Sequence, residues 1–278
     1  MKKKLRIGRI FLYVMLIIGA LICLMPLYWL IRSALMDMSQ IFQRNPIVWI
    51  PKPFVWTNFG DALSELPFNL YFTNSAIITF ACLVGVVVSS SFCAFAFSRL
   101  KWRGRNFWFV CIMSSMMLPY AVTMIPTFIG WQKLGLYGTY YPLIVPAFFG
   151  GGAFNIFLLR QFYMTLPKEL DEAAIVDGAS YPRIWAQIVL PLSHSALIVV
   201  GLFAFLNTWN DFLAPLIYCS NDKQYTVALG LQLFKGMYNA RWEYLMAASA
   251  VAFLPCLIAF ALGQKYFIEG IALTGVKG

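Results

Sequence analysis

The chain has 278 residues, of which 61% are hydrophobic and 12% charged, and its mean hydropathy is +0.73. That balance excludes an ordinary soluble domain of this length and reads as an all-α, multispan membrane protein. The net charge of +10 does not point to nucleic acid, because the basic residues sit in short segments beside apolar stretches.

Charges punctuate the chain so as to leave six stretches with room for the ~20 apolar residues that cross a bilayer. The predicted spans are approximately 10–31, 70–98, 106–130, 137–159, 192–217 and 244–264 of a single integral domain, 1–278. MKKKLRIGR and the apolar run behind it resemble a signal peptide, but the run continues to Ile31 without a small-residue cleavage site. It is expected to stay as the first helix. Residues 33–65 form the longest segment outside the spans, with Pro46, Pro51 and Pro53 interleaved with Trp49 and Trp56. They read as an interfacial loop or as a contact surface for a partner on that side.

In the third span Pro119 and Pro126, with Thr123 between them, predict a kink. In the fourth, Gly150, Gly151 and Gly152 followed by Asn155 predict a helix opened at a cavity or at a close helix crossing, with packing the better reading.

The polar stretch 165–191, TLPKELDEAAIVDGASYPRIWAQIVLP, predicts a helix, a glycine corner and a second short helix. Pro167 has its φ preset for a first turn, and Glu169, Asp171 and Glu172 place negative charge where the helix dipole favours it. Ala173 and Ala174 are strong helix formers with small side chains, and Gly178 suits the left-handed position after a helix end. Pro182 opens the second helix through Arg183, Ile184, Ile188 and Val189, until Leu190 and Pro191 mark the turn into the fifth span.

Within the fifth span Asn207, Asn210 and Asp211 stand at i, i+3 and i+4, which would put them on one helix face. At 1.5 Å per residue from Leu192, Asp211 would lie roughly 28 Å along, near the far end of the hydrocarbon core, where a carboxylate stays hydrated. Such a stripe, with Asn155, can line a polar path or bond neighbouring helices. His194, the only histidine, reads as a hydrogen-bonding residue at the membrane face, and the six cysteines form no C-x-x-C pair and no metal site.

Lys and Arg counts set the orientation. If the N-terminus is cytoplasmic, that side holds Lys2, Lys3, Lys4, Arg6, Arg9, Arg99, Lys101, Arg103, Arg105, Arg160, Lys168, Arg183, Lys265 and Lys277, and the other side far fewer. Both termini and the 165–191 loop are then cytoplasmic.

Glu172, Ala173, Ala174, Gly178 and Leu190-Pro191 resemble the EAA loop of the membrane subunits of binding-protein-dependent ABC importers. AFAFSRLKWRGR, MLPYAVTMIPTF, NTWNDFLAPLIY and YFIEGIALTGVKG extend the likeness to the carbohydrate-importing branch, similar to the second membrane subunit of the maltose transporter. The resemblance implies a bacterial inner-membrane permease with six transmembrane helices. Its coupling helix would carry Glu172, Ala173, Ala174, Asp177, Gly178, Ile188, Leu190 and Pro191. It further implies a different second permease, two ATPase subunits and an extracytoplasmic solute-binding protein, with a sugar substrate and a tail at Gly275–Gly278 close to the ATPase dimer. In that system the sugar site belongs mainly to the partner permease, so Asn207, Asn210 and Asp211 would line a path without holding sugar tightly.

No G-x-x-x-x-G-K-[ST] sequence is present, so the chain is expected to be no enzyme and to bind no cofactor, ATP and Mg²⁺ belonging to a separate ATPase. The alternatives are the same architecture importing glycerol phosphate or another polyol ester, a secondary carrier, or a membrane scaffold. A carrier is disfavoured because the spans lack mid-membrane chains of ionisable residues, and the halves show no repeat.

Overall fold

The computed structural model describes residues 2–236 and 240–275, with the backbone alone at 2–7 and 267–275. Val276, Lys277 and Gly278 of the tail motif lie outside the described residues. Among the described residues every regular element is helical. Four helical segments are long and apolar enough to cross a membrane, Gly8–Ala34, Phe68–Ser98, Tyr141–Thr165 and Trp242–Tyr266. Two further pairs pass the same test if each counts as one bent span, Arg105–Ser115 with Tyr120–Lys133 and Tyr181–Leu192 with His194–Trp209.

The chain divides into two compact units. In the first, Met1–Asn69 with Gly230–Leu254, none of the most apolar window of the first helix is buried. Only lipid or another apolar surface can cover a helix that is hydrophobic all round. The segment after it is folded rather than loose. Arg32 Nε donates to the Val48 carbonyl at 2.6 Å, and the buried Asn58 amide donates to the carbonyls of Ala34 and Met36 at 3.0 and 2.8 Å. Trp49 meets Trp29 edge to face, yet Trp49 and Trp56 both keep exposed rings. Arg241 pairs with Glu243 at 2.9 Å and with Glu65 at 3.7 Å, and stacks 4.1 Å over Tyr244.

The second unit is Leu70–Leu229 with Pro255–Gly278. Its third span is broken rather than kinked, with 99° between its two helices. Pro119 explains the place: it disfavours helical backbone at Leu118 and is itself extended before Tyr120–Lys133 begins. Pro126, by contrast, is accommodated inside that second helix.

The fourth span opens at the predicted glycines. After Tyr141–Ile144 and a 3₁₀ turn, Val145–Phe148, the glycines take φ of 93°, 64° and 92°, and helix resumes at Ala153–Thr165. A Cβ on Gly151 would lie 2.6 Å from the Val86 carbonyl oxygen, and one on Gly85 would lie 2.8 Å from the Phe148 ring. Two helices therefore cross with backbone nearly in contact, as packing predicted. Carbonyls freed by the break find donors: the Ser89 hydroxyl is 2.8 Å from Ala147 O, and Cys82 Sγ is 3.3 Å from Leu143 O. Irregular backbone at membrane depth persists only where neighbours satisfy it in this way.

The fifth span bends by 84° at Ser193, a fully buried residue whose hydroxyl bonds Val189 O at 2.6 Å. Pro191 has no N–H for the carbonyl four residues back, and the turn before it widens into a π-helix, Trp185–Val189. His194 Nδ1 lies 3.2 Å from the Pro191 carbonyl and its ring meets Tyr266 edge to face, a hydrogen-bonding role as read from sequence.

One expectation is corrected here. His194–Trp209 ends before the polar triplet is complete, with Asn210 as its cap and a separate helix at Leu213–Tyr218. Asp211 does not continue the face that carries Asn207, and the rise counted from Leu192 does not hold across the bend at Ser193.

Candidate functional site

The stretch 165–191 forms the helix, corner and helix expected. Glu169–Val176 carries Glu169, Asp171 and Glu172 in its first turn. Its end is a complete Schellman motif. The Gly178 N–H bonds Ile175 O at 3.0 Å, the Ala179 N–H bonds Ala174 O at 2.9 Å, and Gly178 has φ of 80°. Tyr181–Leu192 then returns toward the fifth span.

The two faces of this corner differ sharply. Inward, Ala174, Ile184 and Val189 belong to one buried core with Ala94 and Phe95 of the second span, Leu159 and Tyr163 of the fourth, and Ala196 and Val200 of the fifth. Ile188 packs half-buried against that core, and Leu190 is half-buried as well. Burying an Ile or Val against water contributes about 2 kcal/mol, so the loop is anchored to three spans at once. Outward, Glu172, Ala173, Asp177, Gly178 and Pro191 are exposed, as are Ile175, Tyr181 and, at 87%, Val176. An aliphatic cluster at the tip of a polar loop is unusual for a surface that meets only water.

Sequence reasoning missed the clamp behind the helix. Arg99, read only as a topology charge, pairs with Asp171 at 3.2 Å, with side chains 4% and 16% exposed, and donates to Leu166 O and Pro167 O at 3.0 and 3.4 Å. Burial holds the Asp171 carboxyl above its ordinary range, outweighing the downward pull of Arg99, and Glu172 adds to the rise. A folded-state value that is raised favours the protonated form. That contribution is full below the ordinary carboxylate range and fades as pH rises through the raised value.

The two partners are therefore unequal. Arg99→Ala removes three contacts and is expected to cost about 2 to 4 kcal/mol, whereas Asp171→Asn costs under about 1 kcal/mol and removes the pH dependence. Thermal unfolding of the detergent-solubilised variants across pH checks both, and equal losses would reject the asymmetry.

The polar residues of the fifth span do not converge. Asp211 borders a cavity of about 200 Å³ together with Thr208, Ser75, Cys82, Tyr120 and Thr226, and among the described residues no Lys or Arg lines it. One Asp211 oxygen accepts the Ala214 N–H at 3.2 Å. Asn207 is exposed, Asn210 donates to Leu206 O at 2.8 Å and lies 3.6 Å from Cys256 Sγ, and Asn155 donates to Gly151 O at 2.7 Å. Of the four candidates Asp211 alone lines the cavity. Tyr120 and Thr208 carried a usable signal, since each adjoins a residue already singled out.

Residues 85–272 match the family described as "Binding-protein-dependent transport system inner membrane component". The chain is 32% identical over 280 residues to the "Probable ABC transporter permease protein YurM" of Bacillus subtilis (strain 168), covering 100% of this chain and 91% of that one. It is 36% identical over 270 residues to the "sn-glycerol-3-phosphate transport system permease protein UgpE" of Yersinia pestis bv. Antiqua (strain Antiqua), covering 94% and 95%. A crystal structure of a bacterial ABC transporter involved in import of the acidic polysaccharide alginate contains a chain that superposes with TM-score 0.80 at 23% identity, covering 94% of this chain and 97% of that one. At that identity the likeness is one of fold.

Proposed function

The chain belongs to the inner membrane components of binding-protein-dependent transport systems, and from that premise we propose that it is the permease subunit that couples an ATPase to half of a sugar path. It is a membrane permease of the ABC transporter type. Within the proposal its 278 residues act as one transmembrane domain of six spans, with the loop and both termini in the cytoplasm. A different second permease completes the path, two ATPase subunits bind ATP and Mg²⁺, and an extracytoplasmic protein delivers the substrate.

The observation that carries this reading is the two-faced corner. Its exposed face, from Glu172 through Gly178 to Tyr181, offers a small-residue and aliphatic surface for a cleft in an ATPase. Its buried face shares a core with the second, fourth and fifth spans. A close-packed core transmits displacement rather than absorbing it, so closure of an ATPase dimer would move three spans and switch the path between outward and inward openings.

The proposed substrate is an oligosaccharide or related glycoside: the cavity at Asp211 is mostly apolar in its lining, but it carries the hydroxyls of Ser75, Tyr120, Thr208, Tyr218 and Thr226 and no described cation, which suits a neutral polyol better than an anion. The second reading, glycerol phosphate, is favoured by the relatives named for sn-glycerol-3-phosphate transport. An anion would then have to draw its cations from the partner permease.

The test is copurification in mild detergent with the products of adjacent genes. ATP hydrolysis is read with and without the cognate binding protein, maltooligosaccharides or glycerol 3-phosphate. Hydrolysis stimulated by a binding protein loaded with one of these supports the reading and separates the two substrates. A chain that recruits no ATPase rejects it in favour of a carrier or scaffold.

A further inference from the structure

The connection between the second and third spans is short and strongly basic. Arg99, Lys101, Arg103 and Arg105 fall within seven residues that contain no acidic group. Of these four cations only Arg99 has a carboxylate partner among the described residues. Lys101, Trp102, Gly104, Arg105, Asn106 and Phe107 border an open cleft of about 300 Å³. Arg105 is fixed at its rim, donating to Leu100 O at 3.1 Å. Arg160, held 4.1 Å over the Phe109 ring, lies within reach of the charge on Arg105. Like charges held together around a cleft are stabilised by an anion between them.

Depth identifies the anion. The apolar helix Phe68–Ser98 ends one residue before Arg99, and the next helix starts at Arg105. Six connecting residues that must return to the next apolar helix reach at most about 10 Å from it, which keeps these cations in or directly beside the headgroup layer. Trp102, Phe107 and Trp108 keep exposed rings beside them, and Trp is the residue that seats at that layer. The backbone helps too. Gly104, at φ of 86°, caps the 11-residue helix Arg105–Ser115, so that the positive end of its dipole lies beside the same cleft, with the Arg105 N–H tied to Trp102 O at 3.4 Å.

We propose that this cleft binds the phosphate of an anionic phospholipid headgroup, with Lys101 and Arg105 as its cationic contacts and Trp102 and Phe107 seated among the acyl ends. The cleft shares no lining residue with the Glu172 corner and does not depend on the substrate.

Native mass spectrometry of the full purified chain, equilibrated with equal phosphatidylglycerol and phosphatidylcholine, tests it. The wild type is expected to retain phosphatidylglycerol selectively. Each cation lost should weaken retention about fivefold, so Lys101→Ala with Arg105→Ala should lose about 25-fold. Lys101→Glu leaves the Arg105 to Leu100 bond in place and should lose at least about fivefold, which keeps the test valid if the double variant is poorly folded. Unchanged selectivity in Lys101→Glu overturns the site, as does equal retention of both lipids. Displacement of the lipid by excess inorganic phosphate reassigns the cleft to free phosphate. Crosslinking of Lys101 to a cytoplasmic subunit, with lipid retention unaffected by the substitutions, reassigns it to a protein contact.

Discussion

Replacing Gly178 with valine is expected to lower substrate-stimulated ATP hydrolysis and uptake about tenfold or more while leaving the protein inserted in the membrane in normal amount. At φ of 80° the residue sits where L side chains are strained by about 1 to 2 kcal/mol, and β-branching makes that worse. The corner has an easy escape, because both Schellman bonds can open and the last turn of Glu169–Val176 can unwind. The strain therefore changes the angle between the two helices rather than unfolding the spans. A Cβ at Gly178 would meet nothing within 4 Å among the described residues, so a clash is expected only when a partner docks.

Asparagine separates the two causes, since it tolerates left-handed backbone but adds bulk. If backbone conformation is what couples, Gly178→Asn should keep most of the stimulated activity and Gly178→Val should lose about tenfold or more, the consequence of roughly 1.4 kcal/mol of misplacement. If close approach of an ATPase is what couples, both variants should fail. Normal uptake by Gly178→Val would reject the role of the corner altogether.

How far the sequence leads depends on whether a feature is local. The Schellman corner was legible because its parts are consecutive: three carboxylates in the first turn, two alanines and a closing glycine, all within ten residues, dictate helix start, helix and stop. The apolar stretches were legible for the same reason. The bend at Ser193 was not, because neither Pro191 nor Ser193 alone says that the chain turns by 84°; that follows from burial of Ser193 in a core assembled from several spans. Asp211 shows the complementary failure. Spacing of i, i+3 and i+4 defines a face only while the helix lasts, and this one stops at Trp209. Arg99 was assigned to a side of the membrane by counting, which ignores that a long side chain can be drawn inward by a carboxylate seventy-two positions further on.

The second large effect is expected at the crossing of the second and fourth spans, where Gly151→Val should prevent accumulation of folded protein. Two costs combine. A Cβ would fall 2.6 Å from Val86 O and 3.0 Å from both Ser89 Oγ and Ser90 Cβ, and the φ of 64° is left-handed. The nearest of those atoms is backbone within Phe68–Ser98, which cannot swing aside as a side-chain tip can. Overpacking of about 1 to 3 kcal/mol and backbone strain of about 1 to 2 kcal/mol together take a large part of the roughly 5 to 15 kcal/mol by which folded domains are stable.

Gly150→Ala is the informative companion. Gly150 has φ of 93°, so it carries comparable strain, but among the described residues its Cβ would meet only Ile156 Cδ1 at 3.6 Å, an ordinary contact. Yield of monodisperse protein in detergent and its apparent Tm should therefore fall modestly for Gly150→Ala and collapse for Gly151→Val. Equal losses would mean that strain alone matters and that the spans can separate to admit a side chain. That outcome would also weaken the coupling argument, because a crossing loose enough to accept valine could not carry a displacement from the Glu172 corner into the fourth span.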